Sequence, residues 1–95
     1  MKQLFEIGRL LATPPALAAL EKTGEDALAF VARHVQGDWG TVDQDDQRAN
    51  REALVSGARI LSAYRLKDGT KIWVITEAVG EFQRASTCVL LPGDY

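Results

Sequence analysis

Residues 58–77, ARILSAYRLKDGTKIWVITE, place two alternating runs of β-branched, aromatic and aliphatic residues on either side of Asp68-Gly69. Asp-Gly between such runs predicts a β-hairpin, because both residues tolerate the positive φ of a two-residue type I′ turn. That turn fixes a register in which Arg65 faces Ile72, Tyr64 faces Trp73, Ala63 faces Val74 and Ser62 faces Ile75. Period two then sorts the side chains. Leu61, Ala63, Ile72 and Val74, with Arg65 and Thr76, form an aliphatic face suited to packing under helices. Ile60, Ser62, Tyr64, Trp73, Ile75 and Glu77 form a mixed face. The mixture suits either a shallow binding surface or a plain cross-strand Tyr64–Trp73 pair.

Upstream of the hairpin the pattern turns helical. Thr13 is a good N-cap, Pro14 suits the first helical position, and Gly24 can end a short helix over Pro14–Lys22. Thr23 and Asp26 resemble a capping box ahead of a second helix, about Glu25–Val35. Ala27, Phe30, Val31 and His34 share one face of that helix. Asp43 can cap a third, roughly Gln44–Val55, whose thin apolar stripe of Ala49, Ala53 and Leu54 predicts a surface position; Gly57 ends it. Leu4–Ala12 fits either a short helix or a strand broken by Gly8. The strand is favoured, because Pro14 pushes the preceding residue toward the extended region. Ser86–Leu91 alternates as a further strand, ended by Pro92. Helices followed by sequential strands predict an α+β fold, with two to three N-terminal helices on one face of a three- or four-stranded, mainly antiparallel sheet.

Ninety-five residues fit a single domain, 1–95, with one modest core. Apolar residues make up 46% of the chain, so disorder is not the expectation. The net charge of −2 exerts no overall pull on phosphate backbones. The charge is uneven, however. Glu25–Asp46 holds six acids and one base, whereas Arg59–Arg84 holds five bases and three acids. That excess allows either a basic patch on the sheet or a mixed solvated surface. The single cysteine, Cys88, excludes an internal disulfide and a cysteine-cluster metal site. Neither a signal pattern nor an apolar run of membrane-spanning length is present, so the chain is read as cytoplasmic, with no membrane partner.

Several side chains have two readings. His34, the only histidine, is either a general acid or base or a cap on its helix packed against Trp39. Trp39, between Gly37-Asp38 and Gly40, either stacks on a ring or anchors its loop. Glu77 is a second proton-transfer group or a solvated strand end. Arg65 and Arg84 are cations for a developing phosphorane charge or surface charges. No phosphate loop, dinucleotide fingerprint, nucleophile elbow or zinc helix motif occurs, so neither a metal nor a cofactor is expected.

The combination of Ala12-Thr13-Pro14, Ala16-Leu17, Arg33-His34, Gly37-Asp38-Trp39-Gly40, Asp46 with Asn50, Gly57-x-Arg59-Ile60-Leu61-Ser62-Ala63-Tyr64, Trp73-x-Ile75-Thr76-Glu77-Ala78 and Val89-Leu90-Leu91-Pro92-x-x-Tyr95 covers nearly the whole chain. It resembles a family of short uncharacterised bacterial proteins, often labelled plasmid-related and carried on phages, plasmids and other mobile elements. The order of helices and sheet is similar to the barnase–EndoU–colicin–RelE nuclease superfamily. That likeness implies metal-independent RNA cleavage. His34 and Glu77 would move protons and Arg65 would stabilise charge. Trp39, Ser62, Tyr64, Trp73, Thr76 and Thr87 would hold the substrate. The chain departs from the family pattern where Val79–Arg84 replaces an Asp-Arg-Ser run directly after Thr-Glu-Ala, which displaces an arginine. The alternative expectation is a non-catalytic accessory module that binds another protein, or a second copy through a sheet edge.

Overall fold

In the computed structural model, which describes residues 3–95, Asp68-Gly69 lies at a hairpin tip, but the loop is one residue longer than a type I′ turn. The Leu66 N–H donates to Thr70 O (2.8 Å), and the Gly69 N–H donates to Leu66 O (2.9 Å). Lys67, Asp68 and Gly69 therefore form a three-residue loop in which Gly69 alone has positive φ, at 86°. Asp68 Oδ1 closes it by accepting from the Thr70 N–H at 3.0 Å.

The extra residue shifts the register by one. The two strands are β2, Ile60–Arg65, and β3, Lys71–Thr76. Arg65 pairs with Lys71, Tyr64 with Ile72, Ala63 with Trp73 and Ser62 with Val74. A one-residue slip turns a whole strand over. Ile72 and Val74 are buried under the helices as expected, but their companions on β2 are Ile60, Ser62 and Tyr64, not Leu61 and Ala63. Tyr64 and Trp73 consequently point to opposite faces and form no cross-strand pair.

The fold is α+β: three helices pack with a four-stranded mixed sheet, mostly antiparallel. The helices are α1, Pro14–Thr23; α2, Ala27–Val35; and α3, Gln44–Ser56. Their ends follow local chemistry. Thr13 Oγ1 accepts from the Ala16 N–H, Asp43 Oδ1 accepts from the Asp46 N–H, and Gly24 and Gly57 close α1 and α3 at φ 70° and 81°. Asp26 caps α2 alone, through the Leu28 N–H, while the Thr23 hydroxyl turns back to the Ala19 and Leu20 carbonyls. The expected capping box is thus replaced by a simple Asp cap.

The remaining strands are β1, Arg9–Ala12, and β4, Ser86–Leu90; the sheet order is β1-β4-β3-β2. β1 lies parallel to β4, and the other neighbours are antiparallel. Of the stretch Leu4–Ala12, only the part after Gly8 is strand. Gly8 turns at φ 62° so tightly against Arg84 and Ala85 that a Cβ would lie 2.4 Å from Arg84 O. Between helices and sheet, Ala16, Leu20, Phe30, Val31, Tyr64, Leu66, Ile72, Val74 and Val89 form the main core. A smaller cluster of Trp39, Ala53 and Ile60 lies under α3.

The β2 edge is not free for a second copy. The Ala63 N–H donates to Trp39 O (3.0 Å), and Ala63 O accepts from the Thr41 N–H (2.7 Å). Asn50 bonds both backbone groups of Leu61. The helices cover one face of the sheet. A 3-10 turn at Pro92–Asp94 and Tyr95 cross part of the other, held where Asp94 accepts from the Thr13 hydroxyl at 2.7 Å.

Candidate functional site

The i, i+3, i+4, i+7 spacing that turns Phe30 and Val31 inward also turns His34 inward, so the imidazole is fully buried beneath the sheet. Nδ1 lies 2.6 Å from Ser62 Oγ and Nε2 lies 2.9 Å from Thr76 Oγ1. Thr76 Oγ1 is 2.6 Å from Thr87 Oγ1, whose hydroxyl donates to Ile7 O at 2.8 Å. Counting donors fixes the tautomer. Thr87 spends its one proton on Ile7, so Thr76 donates to Thr87. Thr76 must then accept from His34 Nε2–H, which leaves Nδ1 to accept from Ser62. The chain Ser62→His34→Thr76→Thr87→Ile7 is complete only with a neutral ring. Burial, and then the nearby Arg84 cation, lower the His34 pKa to about 4. Phe5 and Trp39 meet the ring edge-on, at 5.2 and 5.9 Å between centroids.

Ser62 and His34 have the spacing of a nucleophile and its base, but Ser62, His34, Thr76 and Thr87 are all sealed from solvent. Arg65 is exposed at the loop end of β2, opposite Lys71. Glu77 is exposed just past the far end of β3. Five residues of ladder, roughly 16 Å at about 3.3 Å per residue, separate the two ends. The structure therefore does not bring His34, Glu77 and Arg65 into one cleft.

Of the residues expected to hold substrate, Ser62, Thr76 and Thr87 form the buried relay. Trp39 is buried against Phe5, Ala53 and Ile60. Tyr64 is buried beside Phe30, and its hydroxyl donates to Asp38 O at 2.6 Å. Burial pushes the Tyr64 phenol up to about 12. Arg33 lies 4.5 Å above the Tyr64 ring and bonds Asp38 Oδ2 through Nε at 2.7 Å, which holds that carboxyl below its usual range. Trp73 alone of the set reaches the opposite face.

Two residues with structural roles were not evident from the sequence. Asn50 occupies the inner face of α3; the sequence marks it through its place beside Asp46 in the family resemblance and through the thinness of that helix's apolar stripe, neither of which gives its role. Arg84 is buried with no carboxylate partner. Its guanidinium donates to Ala58 O (2.8 Å), Glu77 O (3.0 Å) and Ala53 O (3.1 Å) in the last turn of α3, where the helix dipole favours a cation. The arginine after the Val79–Gln83 segment is thus used inside the fold. Burial alone lowers its pKa.

The sheet face opposite the helices, partly crossed by Pro92–Tyr95, carries the accessible chemistry. By alternation it carries Leu61, Ala63 and Arg65 from β2, Lys71, Trp73 and Ile75 from β3, and Cys88 and Leu90 from β4; Arg65 and Lys71 are exposed, Leu61, Ala63, Trp73 and Cys88 half-buried, and Ile75 and Leu90 buried. Tyr95, 70% exposed, meets Trp73 edge-on at 5.9 Å. Arg59 lies 5.4 Å above the Tyr95 ring and donates to its hydroxyl. Arg65 and Lys71 stand directly opposite each other. Among the described residues the one ion pair is Arg33–Asp38, so Arg59, Arg65 and Lys71 have no carboxylate within 4 Å. Glu77 and Asp94 are acids near Cys88 on this face, and Glu77 lies at the end away from Arg65. Also among the described residues, no cluster of His, Cys, Asp or Glu could hold a metal ion, and no helix is long and apolar enough to cross a membrane. No family profile, curated protein or solved structure matches the chain.

Proposed function

We propose that the chain is a non-catalytic RNA-binding module that lays single-stranded RNA along the exposed part of the sheet face opposite its helices, beside Tyr95. The carrying observation is the cross-strand placement of Arg65 and Lys71, unpaired, two residues along the strands from Ala63 and Trp73. Like charges directly opposite cost a sheet stability. A phosphate between them converts that cost into two charge-assisted hydrogen bonds. Trp73 and Tyr95 supply ring surfaces for base stacking, which contributes about 1–3 kcal/mol per base. The net charge of −2 does not oppose this reading. Six of the thirteen acids lie between Glu25 and Asp46, chiefly on the helical side, although Glu25 accepts from the Lys67 N–H at the hairpin loop; screening limits their reach to about 8 Å at physiological salt. Binding without cleavage fits the sealed, neutral His34, because proton transfer needs a group within reach of the ribose hydroxyl.

The test is fluorescence anisotropy of a labelled single-stranded RNA mixed with the intact chain. Two or three phosphate contacts predict that affinity falls about tenfold between 50 and 200 mM salt. Trp73→Ala should weaken binding at every salt concentration, and the RNA should stay intact. Binding with no salt dependence, or unchanged in the Trp73→Ala variant, would end this reading.

A further inference from the structure

A second surface lies away from the sheet face. The β3–β4 connection folds into a small projecting turn: Val79 bridges to Arg84, and the Gly80 N–H donates to Gln83 O at 2.9 Å. The turn holds Phe82 in solvent, 87% exposed. Beside it Val55, in the last turn of α3, is 93% exposed. Leu4, Leu54 and Val79 add to the apolar part of a groove of about 430 Å³, whose lining also includes Phe5 and the polar Ser56, Gln83 and Arg84.

The groove is built from fixed parts. The Val79 N–H donates to Gly57 O (2.7 Å), which ties the turn to the end of α3, and the three carbonyl bonds of Arg84 lock the turn's other arm. Gly57 packs so closely that a Cβ there would lie 2.9 Å from Val79 Cγ2. Large apolar side chains from three separate segments are thus exposed along one groove that does not depend on a mobile loop.

The charge around it is uneven: two arginines and one glutamate line one end, and Glu6 with the buried Arg84 lines the other. Beyond Val55 the groove continues onto the outer face of α3, a hollow lined by Arg48, Arg51, Glu52, Val55 and Ser56. Neither arginine has a carboxylate within 4 Å among the described residues. Glu6 lies in the apolar part itself. Six apolar side chains are few beside the roughly 20–30 residues per side of a standard interface between folded proteins. The dimensions therefore suit a short segment better than a second copy of this chain.

We infer that this groove is a docking site for a short amphipathic segment of a partner protein, whose apolar side chains lie between Val55 and Phe82 and whose carboxylates reach Arg48 and Arg51. Glu6 at the apolar end sets the direction in which the segment lies. Helix-in-groove recognition uses apolar anchors at i, i+3 or i+4 and i+7, and that pattern defines the probe.

The test is selection of a displayed random 16-residue peptide library on the intact chain, followed by anisotropy of the enriched peptides. The expected peptides combine apolar residues at helical spacing with Asp or Glu. Phe82→Asp and Val55→Asp should each weaken them at least tenfold, and Arg48→Glu combined with Arg51→Glu several-fold. Trp73→Ala, on the other face, should leave them unaffected, which separates this site from the proposed RNA surface. Phe82 and Val55 are solvated, so their replacement leaves the core intact, and circular dichroism checks this. Enriched peptides without acidic residues, or binding indifferent to Phe82→Asp, would overturn the inference. So would self-association, seen by sedimentation velocity, that Phe82→Asp abolishes, because it would assign the groove to a second copy.

Discussion

Asn50 holds Leu61 by both of its backbone groups: Nδ2 donates to Leu61 O at 2.7 Å, and the Leu61 N–H donates to Oδ1 at 3.1 Å. A helix side chain thereby acts as one rung of a missing fifth strand. Together with the Trp39 and Thr41 bonds to Ala63, it closes the outer edge of β2. An open edge of this kind is a template for association.

Removing that rung in Asn50→Ala leaves a donor and an acceptor on Leu61 without partners, each costing roughly 1–3 kcal/mol. Allowing for partial solvation, the variant should lose about 2–3 kcal/mol in urea unfolding. Its midpoint should fall with an unchanged m-value. Sedimentation should also show more self-association than in the unmodified chain, because the edge is uncovered.

His34 makes stability depend on acidity. In the unfolded chain it titrates near 6.5, and in the fold only near 4. The unfolded state therefore binds a proton that the native state refuses. The contribution is fully present above pH 6.5 and is lost as pH falls from 6.5 through 4. At about 1.4 kcal/mol per pH unit, the loss should approach ~3 kcal/mol. His34→Phe should be less stable at neutral pH, because Ser62 and Thr76 lose their partner. It should also lack this slope between pH 6.5 and 4, apart from the common contribution of the carboxylates. Urea melts at half-unit pH intervals measure both.

The limits of reading this chain from its sequence are clearest at the hairpin. Ile72 and Val74 were assignable to the core because either loop length buries them. Ile60, Ser62 and Tyr64 were not, because their face depends on whether Asp68 takes positive φ. Asp-Gly permits either choice, and only Gly69 takes it. Helix ends at Thr13, Gly24, Asp43 and Gly57 were legible because a cap depends on its nearest neighbours. Buried polar groups were not. His34 is paired 28 and 42 residues away, Asn50 across a helix–sheet contact, and Arg84 with carbonyls that carry no side-chain signature. The accessible aromatic–cation cluster was half visible. The basic excess from Arg59 onward was apparent, but the choice of Trp73 over Trp39 and Tyr64 followed from the register.

Two glycines with nearly the same backbone angle separate conformational cost from steric cost. Gly40 has φ 74° and Gly69 φ 86°. At Gly69 an added Cβ meets nothing within 4 Å. At Gly40 it would lie 1.9 Å from Ala63 O and 2.7 Å from Tyr64 Cδ1. Gly69→Ala should therefore cost about 1–2 kcal/mol, the penalty of a left-handed L-residue alone. Gly40→Ala must also push the loop off β2, breaking the Ala63 bonds, and should exceed about 4 kcal/mol. Paired thermal melts distinguish the two. Equal losses would mean that the Gly40 loop yields without strain.

Arg65→Glu should raise stability while removing the proposed activity. The substitution sets Glu opposite Lys71, replacing a cross-strand repulsion with an attraction, and such a pair contributes roughly 0.2–1 kcal/mol. The site is exposed, so the gain should shrink as salt rises. On the proposed RNA surface the same change removes one phosphate contact and ties up a second, so affinity should fall at least tenfold and the salt dependence should flatten. Lys71→Glu should behave alike, since it makes the mirror pair with Arg65. Combining both substitutions restores like-charge repulsion with the opposite sign, so the stability gain should vanish while binding stays lost. If either single variant became more stable yet bound RNA as before, the cross-strand cations would not be the phosphate contact.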